Sequence, residues 1–309
     1  HHETPCNMKN LCILLLALCL HAMLNAQHTA EDERYVAEKD PAAAEKIRQW
    51  QALKFGLLMH WGAYSQWGIV ESWSICPEEY EWCVRTSGSD PGNYNTYVRE
   101  YEGLKNTFNP VKFDPAKWAK AAKDAGMRYV VFTTKHHDGF CMFDSKYTGY
   151  KVTDPGCPFS VNPRKNIAKE IFESFRGEGL WTGAYFSKPD WHSPWYWDPM
   201  YPPRDRNVNY EPEANPEKWN KFIEFTHNQV LELMSDYGKM DILWLDGGWV
   251  AHTPKNTIDD WYRDQLKEAP AGYLKNRIVN QDIRMDELVE KARKAQPGLI
   301  VVDRAAYGK

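Results

Sequence analysis

The residues best equipped for chemistry in this chain are Lys135, His136, His137 and Asp138, which run directly into Gly139 and Phe140. Adjacent histidines can ligate a metal, move protons or hold a polar substrate, and the acid beside them adds charge. They follow Tyr129-Val130-Val131-Phe132-Thr133-Thr134, an apolar and β-branched run that reads as a buried strand. A plain strand-to-helix turn calls for a glycine and an Asp cap. It does not call for two histidines.

Asp246 is the second candidate. It ends the run Ile242-Leu243-Trp244-Leu245 and precedes Gly247-Gly248. A carboxylate partly desolvated at the mouth of a site suits a nucleophile in retaining glycoside hydrolysis, and the same position suits an N-cap of a following helix or turn. His60-Trp61, Tyr185 and Arg304 stand at the ends of other apolar runs. If those runs form one barrel, their tips converge and offer a polyhydroxylated ring a carboxylate, histidines, an arginine and aromatic walls. A metal would need His60 and Asp246 beside the histidine pair, without a His-x-His or His-Glu-x-x-His spacing to support it. The plain alternative is one core and one exposed histidine, since strand neighbours point to opposite sides. No Cys-x-x-Cys spacing marks a zinc site, so no metal ligand is assigned.

The elements that must position these groups alternate between strand and helix. Strand runs are expected at Leu53–Gly62, 129–134, Trp181–Ser187, Ile242–Gly247 and Leu299–Arg304. Helices are expected at Ala42–Gln51, from Asp114 to Gly126, at Asn166–Phe175, at Pro216–Tyr237 and at Asp286–Ala295. Continuous apolar strands with polar tips are the mark of parallel strands buried on both faces. No glycine-rich phosphate loop follows any of them, so a (β/α)8-type TIM barrel fits better than an open doubly wound sheet. About five barrel strands are visible, so the barrel is expected to be incomplete at Lys309. The stretches 63–110 and 192–215 are too long for plain connections and read as functional excursions.

With 309 residues the chain suits one large α/β domain or two ordinary ones. Its 38 basic and 42 acidic residues give a net charge of −4, which excludes the cationic footprint of a nucleic-acid or polybasic membrane binder. The 14 Trp, 17 Tyr and 12 Phe fit either a large aromatic core or rings that stack on the C–H faces of sugars.

Met8-Lys9-Asn10, an apolar stretch from Leu11 to Leu20 and Leu24-Asn25-Ala26 together read as a signal peptide over 8–26. A retained membrane anchor is the alternative. Residues 1–7 are then a tag or upstream read-through, and 27–309 the exported catalytic barrel, periplasmic or extracellular. Cys76, Cys83, Cys141 and Cys157 remain, too few and scattered for a disulfide framework. Cys76 and Cys83 could bridge, and their spacing does not decide it.

These residues resemble glycoside hydrolase family 29, the exported α-L-fucosidases of bacterial type. The matching stretches are Lys54 to Gly62, Thr133 to Phe140, Ala184-Tyr185-Phe186-Ser187 with Asp190-Trp191, Leu243 to Gly247, and Asp303-Arg304. The resemblance implies Asp246 as nucleophile and His60, His136 and His137 as ligands of fucose hydroxyls. It implies Tyr185, Trp244 and Arg304 as further residues of the sugar site. Glu71 and Trp73 match the family's Glu-Trp pair, although Ser72 separates them here. The family's acid/base follows the arginine-bearing strand and is expected beyond Lys309. The implied substrate is a fucosylated oligosaccharide or glycoconjugate, with no cofactor, no nucleic acid and no membrane partner after signal cleavage. A non-catalytic sugar binder on a degenerate barrel and a metal-dependent barrel hydrolase are the competing readings.

Overall fold

The strands are β1 (Leu57–Met59), β2 (Tyr129–Lys135), β3 (Trp181–Ser187), β4 (Ile242–Asp246) and β5 (Ile300–Asp303). They lie side by side in that order and every pair is parallel. The structure, a computed structural model, describes residues 37–268, 274 and 276–303. The expected signal segment and Arg304 lie outside the described residues. Helices occupy each crossover, so the sheet is the arc of a (β/α)8-type barrel that the alternating sequence pattern predicts. No helix among the described residues is long and apolar enough to cross a membrane.

Helix α1 (Pro41–Leu53) starts at Asp40, whose carboxylate accepts from the Ala42 and Ala43 amides, with proline in the first turn. Between β1 and β2 lie α2 (Tyr94–Glu102) and α3 (Pro115–Asp124), and Asp114 caps the latter through the Lys117 amide. The α4 helix (Ile167–Gly177) packs Ile167, Ala168, Ile171, Phe172 and Phe175 into the core, all fully buried. Each large side chain there contributes about 1.5–3 kcal/mol of burial. The 21-residue α5 (Pro216–Asp236) follows β3, then α6 (Lys255–Glu268) and α7 (Met285–Ala295) lead to β5.

One expected element is shorter than its sequence pattern. The apolar run Leu53–Gly62 yields only the three-residue β1, because Leu53 closes α1 and Lys54 turns the chain through a left-handed φ of 63°. His60 to Gly62 leave the ladder. The excursion 63–110 holds α2 and four short 3₁₀ turns, as its length suggests.

Alternation sorts the strand residues into two cores. Val130, Phe132, Ala184, Phe186, Leu243 and Leu245 pack outward against the helices, whereas Val131, Tyr185, Ile242 and Ile300 form an inner cluster joined by Trp244. Asp246, two residues beyond Trp244, falls on the inner face at the strand's end. The β2–β3 register slips between Thr133 and Lys135, so Lys135 pairs with Phe186 and leaves the inner face. Lys135 is 0% exposed and bonds Asp190 Oδ2 at 3.0 Å and Gln229 Oε1 at 3.1 Å.

Candidate active site

Asp246 closes β4 and is 8% exposed. The chain turns away at Gly247, with φ 89°, where a Cβ would meet Pro189 Cδ at 2.3 Å; only glycine fits. The next helix begins only at Lys255, so Asp246 caps no helix among the described residues. Instead the Tyr185 hydroxyl donates to its Oδ2 at 2.5 Å, and Ser187 Oγ donates to the Tyr185 oxygen at 3.5 Å. Burial, then the Asp246 charge, pushes the Tyr185 pKa well up, which keeps the phenol a donor.

Three histidines surround this carboxylate with different freedom. His136 is clamped: its Nε2 lies 3.0 Å from Glu71 Oε2 and its Nδ1 2.5 Å from Ser72 Oγ. His60 Nδ1 sits 2.7 Å from Thr133 Oγ1, whose hydroxyl donates to the Met59 carbonyl at 3.0 Å. That arrangement puts the proton on Nδ1 and leaves Nε2, 3.7 Å from Glu71, as an acceptor. His137 is 0% exposed, with both ring nitrogens lacking a hydrogen-bond partner and Nε2 3.8 Å from Asp246 Oδ2. Burial, then neighbouring cationic groups, holds its pKa well below the usual range, so the ring is neutral. An orphaned imidazole aimed past a carboxylate is a place for a ligand hydroxyl.

Glu71 and Trp73 converge despite the intervening Ser72. Glu71 adopts a left-handed φ of 48°, and its carboxylate is bonded by both His136 and Trp73. Burial works to raise its pKa, but these bonds win and hold it low. Ser72, the residue that breaks the expected adjacency, is itself the second clamp on His136.

An indole wall lies behind His137. Trp73, Trp191 and Trp249 stand 5.1, 5.0 and 5.2 Å from its ring. The Arg206 guanidinium lies over Trp73 at 4.9 Å and Trp249 at 5.1 Å, and Glu78 grips it in a fork. The sequence offers no signal for Arg206, which sits in the loop 192–215 without strand context. Trp249 and Trp191 follow strand ends, and that position was the available hint.

Of the expected site residues, the structure brings together His60, Glu71, Trp73, His136, His137, Tyr185 and Asp246. Trp244 lies a step below Asp246 on the inner face, paired in register with Tyr185. Arg304 lies outside the described residues. Two triads, His60–Glu71–His136 and His136–His137–Asp246, have ligand atoms within 4.8 Å of one another. Both share His136, whose Nε2 meets Glu71 and whose Nδ1 meets Ser72.

A parallel β/α sheet that carries a carboxylate, histidines and indoles at its carboxyl edge defines a protein of the (β/α)8-barrel class with a polar, indole-walled candidate site. The alpha-L-fucosidase family model matches residues 22–309, and the chain belongs to that family. Among curated relatives, tissue alpha-L-fucosidase of Homo sapiens is 26% identical over 247 residues, covering 77% of this chain and 47% of the relative. Alpha-L-fucosidase isoenzyme 1 from Paenibacillus thiaminolyticus superposes with a TM-score of 0.58 at 33% identity, over 84% of this chain and 50% of that one. An alpha-L-fucosidase from Lactobacillus casei, solved with alpha-L-fucose product, gives a TM-score of 0.54 at 26% identity, over 85% of this chain and 72% of its own. The chain spans about half the length of several of the curated relatives it matches.

Proposed function

We propose that this protein is a retaining α-L-fucosidase that releases fucose from fucosylated oligosaccharides or glycoconjugates, with Asp246 as nucleophile. The observation that carries the reading is Asp246 on the inner face, hydrogen-bonded by Tyr185 and facing the unpartnered His137. Membership of the family and the fucose-bound Lactobacillus casei relative support the sugar. Asp246 attacks the anomeric carbon, the glycosidic bond breaks, and a second carboxyl group protonates the leaving oxygen. Water then hydrolyses the fucosyl ester, and that second group takes the water's proton.

The surrounding groups divide the binding. His137 and His60 meet fucose hydroxyls through their open nitrogens. His136 fixes Glu71, whose carboxylate accepts a further hydroxyl, while Trp73 and Trp244 wall the sugar. Arg304 is assigned to the same site on the family resemblance. The signal-like stretch Met8 to Ala26 supports an exported protein.

The test is Asp246→Ala in the full-length protein, assayed for nitrophenol release from an aryl α-L-fucoside. Turnover should vanish while the fold, checked by circular dichroism, persists. Wild-type turnover in a folded variant overturns the nucleophile, and loss of wild-type activity on chelation favours a metal hydrolase instead.

A further inference from the structure

Tyr80 and Trp82 are 40% and 39% exposed, yet their rings stack face to face at 4.7 Å with 4° between planes. The Arg206 guanidinium also lies over the Tyr80 ring, at 5.5 Å. Arg206, Tyr80 and Trp82 therefore form a column. Its base is fixed, because Glu78 forks onto Arg206 and Arg206 in turn covers Trp73 and Trp249 of the wall behind His137. Its outer end is fixed as well: Trp82 lies in a 3₁₀ turn, Glu81–Cys83, that closes with the Cys83 amide on the Tyr80 carbonyl at 2.9 Å and anchors Cys83 in the core.

A rigid, exposed indole contributes little to folding, since much of its apolar area stays in water. What it offers is an oriented apolar face with an N–H at its edge, one guanidinium away from the wall of the candidate site. Such a face is complementary to a pyranose ring, whose axial C–H bonds form an apolar patch rimmed by hydroxyls.

We propose that Trp82, backed by Tyr80 and Arg206, is the platform on which the leaving portion of the substrate glycan stacks. The proposal rests on the fucosidase reading and deepens it: the inner site takes fucose and the column takes the sugar that fucose leaves. Selectivity among glycans then depends on the turn 81–83 rather than on the fucose pocket.

The test compares two substrates in the full-length enzyme: a fucosylated oligosaccharide and α-L-fucosyl fluoride, whose leaving group has no face to stack. In Trp82→Ala the ratio of kcat/KM for oligosaccharide over fluoride should fall about tenfold, mostly through KM, the scale of one aromatic stacking contact. Trp82→Phe should keep most of that ratio. An unchanged ratio, or an equal loss on both substrates, overturns the platform. If the wild type turns over neither substrate, the fucosidase reading has failed, and the platform is read from binding alone. Fluorescence titration with N-acetyllactosamine should then show a millimolar interaction lost in Trp82→Ala. No binding, or a change that follows protein concentration only, overturns it.

Discussion

The phenolic oxygen of Tyr185 stands 2.5 Å from Oδ2 of Asp246, across two strands whose register pairs Tyr185 with Trp244 and Ser187 with Asp246. The parallel ladder thus sets a donor from β3 against a carboxylate from β4. Tyr185→Phe removes this one hydrogen bond to the carboxylate. A hydrogen bond to a charged group is worth about 1.5–3 kcal/mol, so kcat/KM on an aryl fucoside should drop roughly 10- to 100-fold. A rate within twofold of wild type would show that Tyr185 does not support Asp246.

Ser72 holds His136 from the side opposite Glu71. Ser72→Ala strips one clamp and lets the imidazole turn, so Glu71 loses its fixed position. The expected signature is a KM increase of about fivefold, on the order of one hydrogen bond, with kcat less affected. A change confined to kcat would assign Ser72 to the chemical step instead.

Gly139 combines a left-handed φ of 77° with the Asp190 carboxylate, whose Oδ1 would lie 2.3 Å from an added Cβ. Gly139→Ala should therefore destabilise the fold by about 2 kcal/mol or more, from backbone strain and displacement of Asp190. Urea unfolding measures it, and an unshifted midpoint contradicts the geometry.

Lys135 and Asp190 form a buried ion pair, 0% and 3% exposed at their side chains. Lys135→Met leaves Asp190 charged and uncompensated, at a cost of about 3–5 kcal/mol. Adding Asp190→Leu should recover part of this loss, because the stranded charge goes with it. A double variant less stable than the single one would mean that the aspartate has another role in folding.

Stability should fall as the pH drops from 7 to 5. Burial holds the pKa values of His60, His137 and His227 below the usual histidine range. A histidine depressed in the folded state contributes stability that is present above its unfolded pKa of about 6.5 and lost as pH falls. His192 runs the other way: burial opposes its charge, but the bond to Glu102 raises its pKa, so its contribution is present below about 6.5 and lost as pH rises. His192→Gln should therefore steepen the acid-side fall in urea midpoint, and a flatter profile would reverse the sign of that pair.

The sequence by itself determined the alternation of elements, the cap at Asp114 and the strand tips that carry His60, His136 and Asp246. Those features are local, since apolar periodicity, a capping side chain and a polar residue ending an apolar run all act over a few positions. It also marked Glu71 and Trp73, although Ser72 made their convergence look doubtful. The left-handed backbone at Glu71 supplies that convergence.

Only the tertiary structure decided which histidine is open and which is engaged. Adjacent positions on a regular strand point apart, but the slip between Thr133 and Lys135 sends Lys135 outward and brings both histidines to the inner edge. Which nitrogens are engaged then depends on Ser72 and Glu71 at His136 and on Thr133 at His60, partners far from those histidines in sequence. Arg206 and the exposed column of Tyr80 and Trp82 were equally hidden, because a cation over a ring is a meeting of distant loops. Local physics fixes what each segment is, and long-range packing fixes which of its atoms are left for a ligand.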